Sequence, residues 1–98
     1  MAIVEVSIVP IGVPGTSLSD YIAKAVAAVQ RSSLNYELTA MGTIISGDLD
    51  DIWEVLKQIH QSSFDLEAQR VLTQIRIDDR RDKPSSPDQK IQSVMQKL

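Results

Sequence analysis

Apolar side chains open the chain at close to every second position. Ile3 and Val4 lead to Val6, Ile8 and Val9, with Glu5 and Ser7 between them. A β-branched run with this partial two-residue period predicts a strand over Ala2–Ile11. Val4, Val6 and Ile8 then share one face, and Glu5, Ser7 and Val9 the other. Pro10 to Gly15 is a breaker cluster and predicts a loop. From Ser17 to Ser33 the period lengthens: Leu18, Ile22, Ala25, Val26 and Val29 recur at helical steps. Four alanines in that stretch favour a slim helix, and Ser17 with Asp20 has the spacing of a capping box. Leu34–Gly47 reads as a hairpin, with arms Asn35–Ala40 and Thr43–Ser46 about Gly42. Asp48–Phe64 predicts a second helix on the stripe Ile52, Val55, Leu56 and Ile59, with Asp48, Asp50 and Asp51 at its positive N-terminal end. Arg70–Ile77 predicts the last strand. After the charge run Asp78–Lys83, Ser86 as cap and Pro87 at the first turn start a terminal helix lined by Ile91, Val94, Met95 and Leu98.

The order β-α-β-β-α-β-α is that of an α+β, ferredoxin-like βαββαβ sandwich: a four-stranded antiparallel sheet with two helices on one face, plus a C-terminal helix. At 98 residues the chain is a single domain, residues 1–98, with 86–98 as a docking helix. The expected core is Val4, Val6, Ile8, Ile22, Val26, Val29, Ile52, Leu56, Ile59, Val71 and Ile75. The second sheet face carries Val9, Met41 and Leu72 beside Ser7, Thr39, Gln74 and Arg76. That face is too apolar to stay wet, so a second subunit is expected to cover it.

Charge narrows the function. Ten basic residues against thirteen acidic ones give a net charge of −3, with no pull toward nucleic acid or an anionic membrane. Cysteine is absent, which removes disulfides, thiolate nucleophiles and thiolate metal sites. No apolar run reaches about 18 residues, and the N-terminus lacks the pattern of a secretion signal, so a soluble cytoplasmic protein is expected.

Candidate chemistry is sparse. His60 is the sole histidine and without partners is expected to pack or face solvent. A calcium loop starting at Asp48 needs glycine at its sixth position, where Trp53 stands. Gly12–Thr16 lacks the ending of a phosphate loop and carries no charge. The strands lack the aromatic pairs on which RNA bases stack. Trp53 and Phe64 read as packing residues. No catalytic residue and no metal or cofactor site is expected. The hydroxyls of Ser7, Thr39 and Thr43 remain. On a face destined for burial they serve either bonds between subunits or a small-molecule pocket.

Four strings carry a resemblance: Val6–Gly12, Thr16–Tyr21, the Tyr-x-Leu-x-x-Met-Gly-Thr segment Tyr36–Thr43, and Arg70–Arg80. In this order and spacing the chain resembles the small thiamine-binding-like family. The resemblance implies a ferredoxin-like fold, dimers paired through their sheets, tetramers made of two such dimers, and non-catalytic binding of thiamine or its hydroxymethylpyrimidine part. The alternative is an interaction module whose sheet face serves oligomerisation alone. The resemblance points to Ser7, Thr39, Met41 and Thr43 as ligand-binding residues. Where the family commonly has Glu before the glycine that ends the hairpin, this chain has Ser46 before Gly47.

Overall fold

A computed structural model describes residues 1–98. Its elements are β1 (Ala2–Pro10), α1 (Ser19–Gln30), β2 (Asn35–Leu38), β3 (Thr43–Gly47), α2 (Leu49–Asp65), β4 (Val71–Asp79) and α3 (Pro87–Met95). One sheet has the order β2-β3-β1-β4, every pair antiparallel, which is the expected ferredoxin-like arrangement. β1 is central. It pairs with β3 over Ala2–Val6 but with β4 along its whole length, from Ala2 opposite Asp79 to Pro10 opposite Val71.

The core lies between sheet and helices. Val4, Val6, Ile8 and Ile45 bury their side chains against Ala25, Ala28 and Val29 of α1 and Ile52, Val55, Leu56 and Ile59 of α2. Ile22 and Val71 pack partly buried at its margin, and Val26 is half-buried. Ile75 departs from expectation. It pairs with core residue Val6, yet stands on the outermost strand and remains 39% exposed.

Other departures are local. α1 starts one residue later than the capping-box spacing predicts, with Leu18 in place of Ser17 as its cap and no side-chain cap bond. Ser17 Oγ instead lies 3.3 Å from Ser19 Oγ, while the Leu18 carbonyl accepts from Ile22 N–H. The helix stops at Gln30 rather than Ser33: Ser32 Oγ donates back to the Val29 carbonyl and Ser33 turns left-handed at φ 65°. β2 ends at Leu38, because Thr39 closes a turn instead of continuing the strand. Thr39 and Met41 therefore sit in the β2–β3 turn rather than on the second sheet face, and Met41 projects 83% exposed. β4 runs on to Asp79, two residues beyond Ile77, since Ala2 and Ile3 supply partners there.

α2 is capped by Asp48, whose carboxylate accepts from Asp50 N–H at 2.9 Å. α3 is capped by Ser86, whose Oγ accepts from Gln89 N–H at 3.2 Å, with Pro87 in the first turn. No residue of α3 is buried. Ile91, Val94, Met95 and Leu98 all remain exposed, so its apolar side finds no partner within the chain. No helix is long and apolar enough to cross a membrane.

Candidate functional site

The site begins where β3 is too short. Beyond Val6, β1 has a partner only on its β4 side, because the chain that would continue β3 backwards turns away through Gly42 and Met41. Main-chain polar groups alternate in direction along a strand. Ile11 N–H donates to the Arg70 carbonyl at 2.8 Å, so odd residues of β1 aim at β4. Even residues aim the other way: a Cβ on Gly42 would lie 2.9 Å from the Val6 carbonyl oxygen. Ile8 and Pro10 are the next even residues, and both face the gap. Proline fits there because no neighbouring strand waits for its missing N–H.

A cavity of about 430 Å³ fills this gap and continues under α1. Four successive residues, Val6, Ser7, Ile8 and Val9, line it. Neighbours on a strand point to opposite faces, so all four reach one cavity only because the strand edge itself forms part of its wall. Leu18, Ile22, Ala25 and Val29 of α1 close one side, with Ile59 of α2 behind them. The small Ala25 leaves room there. Leu38 to Thr43 form the mouth, and Gln74 lies across from Ser7 on β4. No lining residue carries a charge.

The four residues singled out from the sequence, Ser7, Thr39, Met41 and Thr43, all line this one cavity. They reach it differently. Ser7 lies on the face away from the helices. Thr43 pairs with Val6 on the helix side and is 7% exposed. Met41 hangs at the mouth. Thr39 builds the turn: its hydroxyl donates to the Gly42 carbonyl at 2.8 Å and accepts from Met41 N–H at 3.3 Å and Gly42 N–H at 3.2 Å. With its proton and both lone pairs engaged within the turn, the Thr39 hydroxyl shapes the mouth of the cavity rather than offering a bond to a ligand.

The α1 wall and the edge of β1 were not singled out from sequence. Pro10 was the available signal for the edge, since proline in a sheet interior implies a vacant ladder position. Ser46 lies elsewhere. It pairs with Ile3 and Asn35 at the other end of β3 and shares a shallow cleft with Ser86 and Pro87.

His60 packs edge-on to Phe64, ring centres 5.5 Å apart, and its Nδ1 lies 2.7 Å from Thr73 Oγ1. Trp53 is half-exposed on α2. The charge run neutralises itself at the opposite end of the sheet. A two-pronged hydrogen bond from Arg80 holds the Asp82 carboxyl down to about 2, and the hydrogen bond from Arg81 lowers that of Asp79. On the face away from the helices Glu5 pairs with Arg76 at 3.4 Å.

Comparison with known proteins covers almost the whole chain. A family model described as thiamine-binding protein matches residues 4–95. A UPF0045 protein of Staphylococcus xylosus is 44% identical, covering 96% of this chain and 92% of its own. The UPF0045 protein YqgV of Bacillus subtilis is 41% identical, covering 100% and 98%. Among solved structures, the hypothetical protein MJ1052 of Methanocaldococcus jannaschii superposes with a TM-score of 0.88 at 35% identity, covering 96% and 95%.

Proposed function

This chain belongs to the thiamine-binding protein family, and on that premise we propose that it binds thiamine or a related hydroxymethylpyrimidine-type heterocycle without transforming it. One observation carries the reading: the cavity under α1 gathers Ser7, Thr39, Met41 and Thr43 in a largely apolar slot. Its volume of about 430 Å³ lies within the range of small-ligand pockets. The uncharged lining favours a neutral planar ring inside, with a cationic part such as thiazolium left toward the mouth. Met41 supplies an adaptable thioether at that mouth. No nucleophile–base pair lines the slot, which fits a carrier or sensor rather than a catalyst.

Calorimetric titration of thiamine and of hydroxymethylpyrimidine tests this. Saturable binding weakened by Ser7→Ala is expected; absence of heat up to millimolar ligand would remove the reading.

The same reading includes self-association. Val9 and Leu72 stand 42% and 50% exposed on the face away from the helices, and Ile91, Val94 and Met95 of α3, with Leu98 just beyond it, face solvent. A second copy of the chain, sheet against sheet, buries both sets, and two such dimers form a tetramer. Because Met41 lies in the turn, Leu72→Asp is the appropriate disrupting change: it places an unpaired charge in the interface. Light scattering is expected to give a multiple of 10.8 kDa for the wild type and a smaller mass for the variant. A wild-type mass of one chain would contradict the assembly.

A further inference from the structure

The edge of β1 offers more than shape. Ile8 is only 4% exposed, yet its main-chain N–H and C=O point to the side of β1 where no strand lies. Buried main-chain groups are nearly always paired, so a donor and acceptor left open on a cavity wall call for a partner inside the cavity. The two groups belong to one residue and aim in one direction. A ligand that satisfies both must carry an acceptor and a donor side by side on one planar edge.

We propose that the Ile8 main chain is the specificity element of the pocket and reads the edge of an aminopyrimidine. The ring nitrogen accepts from Ile8 N–H while the adjacent exocyclic amino group donates to Ile8 C=O. The heterocycle thereby takes the place that a continued β3 would occupy, as peptides do when they add to an open sheet edge. This rests on the proposed function and sharpens it: the amino-bearing pyrimidine is the recognised half, and the thiazolium is not. The side chains do not make this distinction. Ser7 and Thr43 hydroxyls can each donate or accept, and Gln74 can do both, whereas a peptide N–H only donates and its carbonyl only accepts.

The test compares thiamine with its analogue in which the pyrimidine amino group is replaced by oxo. That change reverses the edge, setting N–H against N–H and oxygen against oxygen. We expect the oxo analogue to bind at least about tenfold more weakly, as expected where buried polar groups are left unpaired. A second arm replaces the Ile8 amide by an ester, removing only the N–H. Thiamine affinity is expected to fall several-fold while the unliganded protein keeps its melting temperature, because that N–H has no strand partner to lose. The same replacement at Val6, whose main chain faces β3, is expected to lower the melting temperature. Equal affinity for thiamine and the oxo analogue would overturn the Ile8 assignment and leave the function intact. Loss of melting temperature in the unliganded Ile8 ester would also overturn it. No binding of either compound would overturn both the assignment and the function.

Discussion

Thr39 does two jobs with one hydroxyl. It lines the cavity, and it also ties the Thr39–Gly42 turn that forms the cavity's mouth. Thr39→Val removes all three turn bonds of that hydroxyl and is therefore expected to lower stability by about 1–3 kcal/mol, and to weaken ligand binding by loosening the mouth. Thr39→Ser, which keeps the hydroxyl, is expected to retain most of both; thermal melts and titrations of the pair check this. Gly42 is constrained by space rather than by backbone angle. A methyl there would press on the Val6 carbonyl oxygen from 2.9 Å, so Gly42→Ala is expected to destabilise the hairpin by about 1–3 kcal/mol, read by denaturant melts. At the far end of the sheet, the carboxyl of Asp82 is held at about 2 by its hydrogen bond to Arg80. Its pKa is depressed, so any stability this pair adds is present above the ordinary value of 3.8 and disappears as pH falls through about 2. Arg80→Gln is expected to return the NMR titration of Asp82 toward 3.8, while ligand binding stays unchanged.

At the scale of elements, legibility followed how much each segment's form depends on its neighbours. β1, α2 and α3 were readable because their signals are internal: alternation in β1, a clean stripe and acidic cap in α2, and Ser86–Pro87 in α3. The starts of α1 and the end of β2 were not. Ser17 and Asp20 have capping spacing, but Leu18 turns into the cavity and becomes the cap residue, displacing the start. Thr39 has strand alternation, but its hydroxyl bonds within the turn end the strand. The site was half legible for the same reason. Its polar residues stand out in the sequence, whereas its edge arises because β3 is shorter than β1, a relation between distant segments. The α1 wall yields a direct test. Ala25 is buried against the cavity, so Ala25→Leu fills empty space without disturbing a bonded group. Melting temperature is expected to hold or rise, and ligand affinity to fall at least about tenfold. Unaltered affinity would place the ligand elsewhere.

The whole molecule is a small sandwich with one face closed by helices and with apolar groups left on the other face and on α3. Its acidic balance and uncharged cavity suit a ligand whose cationic part stays near solvent while its neutral ring is enclosed. Fold class followed from element order alone. The central claim is that the enclosed slot under α1 holds an aminopyrimidine-type ring. Ligand-dependent unfolding tests it most directly, because a compound that binds only the folded state adds RT ln(1 + [L]/Kd), about 2.7 kcal/mol at one hundred times Kd. With thiamine in excess, the wild type is expected to gain stability that rises with the logarithm of ligand concentration, and Ala25→Leu to gain almost none. The same gain in both proteins, or none in the wild type up to millimolar thiamine, would contradict the account.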